Sequence, residues 1–157
     1  MARVLTVVSG GQTGVDRAAL DAARALGLPC GGWCPRGRLA EDGPIDPAYA
    51  LVETPSRDYA QRTERNVRDS DGTLVLVRGR ATGGTALTIA LARRQGKPLL
   101  VLDLKRDPSP EAAWRWIEAS GIGVLNVAGP RESQRPGIGP EARVFLERLF
   151  RLTSTRA

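Results

Sequence analysis

The chain has 157 residues and a formal charge of +6, with 21 arginines against two lysines. It has no histidine, which excludes Ser-His-Asp chemistry, histidine general bases and most zinc sites. Aromatic residues make up 4% and no Lys/Arg run exceeds two residues, so a basic, base-stacking nucleic-acid surface is not expected.

The length suits one domain, 1–157, with a real core. Val4, Leu5, Val7 and Val8 form a short apolar block without alternation, which predicts a strand buried on both faces. Ser9-Gly10-Gly11-Gln12-Thr13-Gly14 follows, then an alanine-rich helix over 15–27, stopped by Gly27 and Pro29. Strand, glycine turn and helix start form an anion site, because unpaired N–H groups point outward at the positive end of the helix dipole. The spacing is neither the dinucleotide fingerprint nor a P-loop, and a plain tight turn remains the alternative. Asp16 lies in the first helical turn, either complementing the dipole or reaching a ligand. Cys30 and Cys34 read as reduced thiols.

Residues 28–48 are rich in Gly and Pro and keep no period. So long an irregular stretch is usually functional. Arg36 and Arg38 beside Glu41 and Asp42 either clamp a polar ligand or pair among themselves. A short strand is expected at 50–52, then a helix over 57–69 capped by Ser56. Tyr59, Arg62, Thr63 and Asn66 share one helical face. Facing inward, it would meet a ligand or a second subunit; facing outward, it would be a solvated helix.

Thr73–Val77 is the next buried strand. After it come the glycine-rich 78–85, with Thr85 as a helix cap, and a helix over 86–95. A strand at 98–102 precedes a helix from Pro110 capped by Ser109. Gly123–Val127 is a strand interrupted by the polar Asn126, followed by a third loop, 128–133. The last helix spans 141–152, and 153–157 should fray.

Alternating strands and helices predict an α/β, Rossmann-like, doubly wound, mainly parallel sheet with helices on both faces. The loops 9–14, 78–85 and 128–133 all follow strands, so they should meet at one carboxyl edge, where such sheets bind ligands. The candidate ligand-binding residues from the first turn are Ser9, Gly10, Gly11, Gln12, Thr13, Gly14 and Asp16. The irregular stretch and the polar helix add Arg36, Arg38, Glu41, Asp42, Arg62 and Asn66. The other two loops add Gly83, Gly84, Thr85, Asn126, Gly129, Arg131, Glu132 and Ser133. A small phosphorylated ligand is expected, without a tightly bound metal held by protein ligands.

Five strings carry a family resemblance: residues 9–17, 32–45, 62–73, 83–85 and 126–133. Together they resemble the molybdenum cofactor carrier family, the circularly permuted YpsA-like members of the SLOG superfamily. The resemblance covers nearly the whole chain. It implies a Rossmann-like fold, homo-oligomers (dimers or tetramers) and binding of molybdenum cofactor (molybdopterin). Related enzymes split nucleoside monophosphates with a glutamate soon after a Gly-Gly-x-Gly-Thr loop. Here Ala86-Leu87-Thr88 follow Gly-Gly-Thr and that glutamate is missing, so the activity is not carried over.

The leading expectation is thus a carrier or sensor for a phosphorylated pterin or a nucleotide, with no catalytic residue assigned. The alternatives are a nucleotide N-glycosidase or phosphate-ester hydrolase using Asp16, Glu41, Asp42 or Glu132, and an interaction module built on the polar helix. No signal peptide or membrane-length apolar run is read, so a soluble cytoplasmic protein is expected. Gly11→Val and Gly84→Val are both expected to block binding without unfolding the chain.

Overall fold

The computed structural model describes residues 4–154. The chain begins with β1 (Thr6–Val8) and α1 (Val15–Ala25). Five short strands follow: β2 (Cys30–Gly31), β3 (Trp33–Cys34), β4 (Leu39–Ala40), β5 (Gly43–Pro44) and β6 (Val52–Glu53). Then come α2 (Tyr59–Arg68), β7 (Gly72–Val77), α3 (Gly83–Arg94), β8 (Leu99–Asp103), a single 3-10 turn and α4 (Pro110–Ala119). The last elements are β9 (Val124–Ala128) and α5 (Ile138–Ser154).

Five strands form one parallel sheet in the order β2-β1-β9-β7-β8. The doubly wound α/β architecture expected from the sequence is therefore present. The β1–α1–β2 crossover runs toward one edge of the sheet, and β7–α3–β8 runs toward the other. Keeping both crossovers right-handed puts α1 and α3 on opposite faces. β9 enters between β1 and β7, so the strand order reverses there.

The two faces are unlike. Leu5, Val7, Leu74, Leu76, Leu125 and Val127 point toward α1, α4 and α5 and form the main core with Phe145, Leu146, Leu149 and Phe150. The alanines of α1 let that helix lie close to the sheet and to α5. On the other face the apolar cluster is small, Val67, Leu91 and Ala92 with Leu99 against it, and Val75 and Val77 of β7 are buried on that side as well. The polar residues Thr73 and Asn126, one step out of phase with the leucines, face α2 and α3. A core this thin leaves room for a polar hollow.

Several boundaries differ from the expectation for physical reasons. α2 starts at Tyr59 because Asp58, not Ser56, caps it: its carboxylate accepts from the Ala60 N–H at 3.0 Å. α3 starts at Gly83, so Thr85 stands inside the first turn and Thr82 is at the cap position. α5 starts at Ile138 because the Glu132 carboxylate accepts from the N–H groups of Gly137 and Gly139. A cap supplied from outside the helix leaves little local signal. α5 runs on to Ser154, and residues 155–157 of the expected frayed end lie outside the described residues.

Candidate functional site

A hollow of about 110 Å3 lies at the carboxyl ends of β1 and β9, between α2 and α3. The first bend contributes Gly10, Gln12 and Asp16 to its wall. The second contributes Gly84 and Thr85, and the third contributes Gly129, Arg131 and Gln134. Asn126 reaches it from β9, and Arg62, Thr63 and Asn66 from α2. The three loops thus meet at one sheet edge, and the polar face of α2 looks inward.

Asp16 occupies the anion position of the first bend with its own carboxylate. The backbone amides of Gln12 and Gly129 bond to it. Burial nevertheless dominates and pushes its pKa up to about 6, against the pull of the nearby Arg62. The Arg62 guanidinium stands 3.9 Å away, beyond hydrogen-bond distance, with both side chains nearly buried. Arg62 is fixed by donating to the Gly10 carbonyl at 3.0 Å and to Thr63 Oγ1 at 3.2 Å, and its charge lies over the Tyr59 ring.

The raised pKa has a stability consequence. The folded state holds the Asp16 proton more tightly than the unfolded chain, whose value is near 3.8. The folded state therefore loses stability as pH rises from there to about 6, by up to ~3 kcal/mol, and the effect is flat above. Other carboxylates, such as Asp69, held at about 2 chiefly by its hydrogen bonds from Arg68, bend the curve the opposite way. The difference between the parent and Asp16→Asn isolates the Asp16 contribution. Urea denaturation across that range should show the variant gaining on the parent as pH rises, and equal slopes would exclude a raised Asp16 pKa.

The second bend is open. Thr82 makes no side-chain cap bond to α3, and a Cβ at Gly84 would meet nothing within 4 Å. The N–H groups of Thr85 and Ala86 bond back to the Thr82 carbonyl, at 3.1 and 3.3 Å, which leaves those of Gly83 and Gly84 to point out beside the hollow.

Several expected site residues stand outside the hollow and brace it. Ser9 donates its hydroxyl to the Asp16 carbonyl at 2.8 Å. Gly14, with φ of 79°, lies so close to 130–132 that a side chain would strike the Pro130 carbonyl. Gly11 has φ of 76° and packs under Ile45 and Leu51, with a Cβ placed 2.5 Å from the Leu51 methyl. Gly11→Val would thus strain the fold itself, a correction to the expectation that it only blocks binding. Arg38 donates to the carbonyls of Ile45, Asp46, Tyr49 and Leu51 and holds its own loop together. Arg36 is exposed, and Asp42 pairs with Arg17. Gly83, with φ of 52°, opens α3 next to Gln134, and Glu132 caps α5.

Glu41 ties the parts together. Its carboxylate accepts from the hydroxyls of Thr13 and Ser133 and from the Ser133 N–H at 3.1 Å, with Arg131 3.5 Å away. The bonds from Ser133 and Thr13 hold its pKa below the usual carboxylate range. The β4–β5 hairpin is thereby latched across the first and third bends. Glu41→Ala is expected to release it, seen as faster tryptic cleavage after Arg36 and Arg38; unchanged cleavage would show that the latch is not what holds the hairpin.

The wall also includes Ala60, Leu87, Thr88, Val127, Ala128 and Gln134, which were not among the candidates. Leu87 and Thr88 sit at helical spacing beyond Gly84, which would have exposed them had the helix been started at Gly83. Among the described residues, no group of three or more Cys, Asp or Glu could hold a metal ion. No described helix is long and apolar enough to cross a membrane.

A parallel sheet with a polar hollow at its switch point, walled by glycine bends and an uncapped helix start, defines a Rossmann-like α/β domain. The profile of the circularly permutated YpsA SLOG family matches residues 7–150, and the chain belongs to that family. It is similar to a protein of Syntrophus aciditrophicus whose crystal structure carries the provisional name of a molybdenum carrier protein. The two share 46% identity and a TM-score of 0.88 over 94% of this chain and 95% of that one. A search of curated proteins gave no match.

Proposed function

We propose that this protein binds a phosphorylated pterin of the molybdenum cofactor kind, or a nucleotide-like ligand, in the hollow between α2 and α3, and carries it without chemical change. The observation that bears most weight is the open start of α3. A phosphate placed there meets unpaired N–H groups and the positive end of the dipole, with Arg131 on the same wall. The first bend is a poor seat for phosphate, because Asp16 already fills it with negative charge. The rest of the ligand then lies toward Gln12, Asp16, Arg62 and Asn126.

The donor set suits a pterin phosphate: N–H groups and arginine for the phosphate, carboxylate and amides for the ring. Any molybdenum would arrive as cargo held by the pterin's own sulfur atoms. The name carried by the Syntrophus protein supports the same assignment. The absence of a glutamate after Gly-Gly-Thr favours carriage over hydrolysis. Native mass spectrometry of the protein as isolated should reveal a phosphorylated adduct, and calorimetry should show binding of neopterin monophosphate or guanosine monophosphate. A protein that neither retains nor takes up any phosphorylated compound would end this reading. A homo-oligomer in the cytoplasm fits a soluble carrier and is part of the same proposal.

A further inference from the structure

The side-chain amide of Gln12 has a fixed orientation. Its Oε1 accepts from the Thr13 N–H at 3.0 Å and from the Glu41 N–H at 2.9 Å, which only the oxygen can do. Nε2 must therefore point the other way. That nitrogen is buried and has no protein partner, although Gln12 is only 5% exposed and lines the hollow. A buried amide donor left unpaired is costly to the fold, and a bound acceptor would recover that cost. The Asp16 carboxylate lines the same hollow, bonded by the Gln12 backbone amide and without a side-chain hydrogen bond to Arg62. The hollow thus offers both an unpaired N–H donor and a carboxylate on its wall.

We propose that Gln12 and Asp16 read the amino-lactam edge of the ligand's heterocycle, with Gln12 as the specificity-determining donor. This edge is a ring N–H flanked by a carbonyl on one side and an exocyclic amino group on the other. Gln12 Nε2 donates to the carbonyl, and the carboxylate accepts from the ring N–H and the amino group. Guanine and pterin share this edge. Adenine presents one donor and one ring acceptor, and so leaves part of the carboxylate unpaired in a buried site. Such mismatches are rejected strongly because the site's own polar groups lose their partners.

The inference rests on the proposed carriage of a phosphorylated ligand, and the test separates the two. Calorimetry would compare guanosine, inosine and adenosine monophosphates, neopterin monophosphate and ribose phosphate on the parent and on Gln12→Glu. That variant keeps an oxygen for Thr13 and Glu41 but turns the donor into an acceptor. The expected result is that guanosine or neopterin monophosphate binds at least ~10-fold tighter than adenosine monophosphate, with inosine monophosphate between. Gln12→Glu should remove that preference. Which of the guanosine and neopterin compounds binds tighter identifies the source of the edge. Equal binding of adenosine monophosphate, or a preference untouched by Gln12→Glu, overturns the proposal. If ribose phosphate binds and the rings add nothing, the edge reading fails while the carrier reading stands; if no phosphorylated probe binds, both fail. Should Gln12→Glu not fold, the order of affinities on the parent decides alone.

Discussion

Gly84→Val is expected to abolish ligand binding, a loss of at least ~100-fold or about 2.7 kcal/mol, while the melting temperature stays within about 2 °C of the parent. The two halves of this expectation come from one fact. A Cβ at Gly84 meets nothing within 4 Å, so the fold has room for a side chain there. The space it would enter is the hollow, beside the N–H groups that should hold the phosphate. Valine is no worse than glycine in a helix, so the first turn of α3 does not suffer. Gly84→Ala provides a graded check: better helix propensity, with weaker binding than the parent. Gly14→Val is the contrasting control, because its side chain would strike the Pro130 carbonyl from a residue with positive φ. It should lower the melting temperature whatever the ligand does. Unchanged affinity of Gly84→Val for neopterin or guanosine monophosphate would move the phosphate away from α3.

The large features of this arrangement were legible in the residues. Apolar blocks such as Thr-Leu-Val-Leu-Val mark strands buried on both faces, and three loops after such strands had to meet at one edge. The inward face of α2 was readable as Arg62, Thr63 and Asn66 at helical spacing, although period alone left its direction open. The out-of-phase Asn126 pointed to a polar patch on an otherwise apolar strand. Features that depend on distant partners were not legible. Cys30–Gly31 joins the sheet as a two-residue edge strand, a segment too short to show a period. Glu132 read as a ligand contact or an acid–base group, and its role as the cap of α5 appears only in the fold. Arg38 and Glu41 lie in the same loop, and only the folded chain shows that one braces the loop while the other latches it across the rim. The divided role of Gln12 was hidden too, since it depends on the Glu41 N–H, 29 residues further along.

The second large effect is expected at Arg62. Replacing it with alanine should destabilise the protein by roughly 3–5 kcal/mol, more than any other single change at the site. Two losses combine. The Gly10 carbonyl loses a buried charged donor, and the Asp16 carboxylate loses the positive charge that does most to hold its pKa down. Asp16 would then sit buried with no nearby positive charge but the more distant Arg17, and its pKa should climb further above about 6. The damage must therefore depend on pH. At about pH 5 the carboxylate can take up a proton and the penalty shrinks; at about pH 8 it must stay charged or draw a proton at a cost. Adding Asp16→Asn to Arg62→Ala should recover much of the loss at the higher pH and little at the lower, a coupling readable from a double-mutant cycle by urea denaturation. A loss equal at both pH values, or a double variant no more stable than Arg62→Ala alone, would mean that Arg62 serves the fold only through packing and its bond to Gly10.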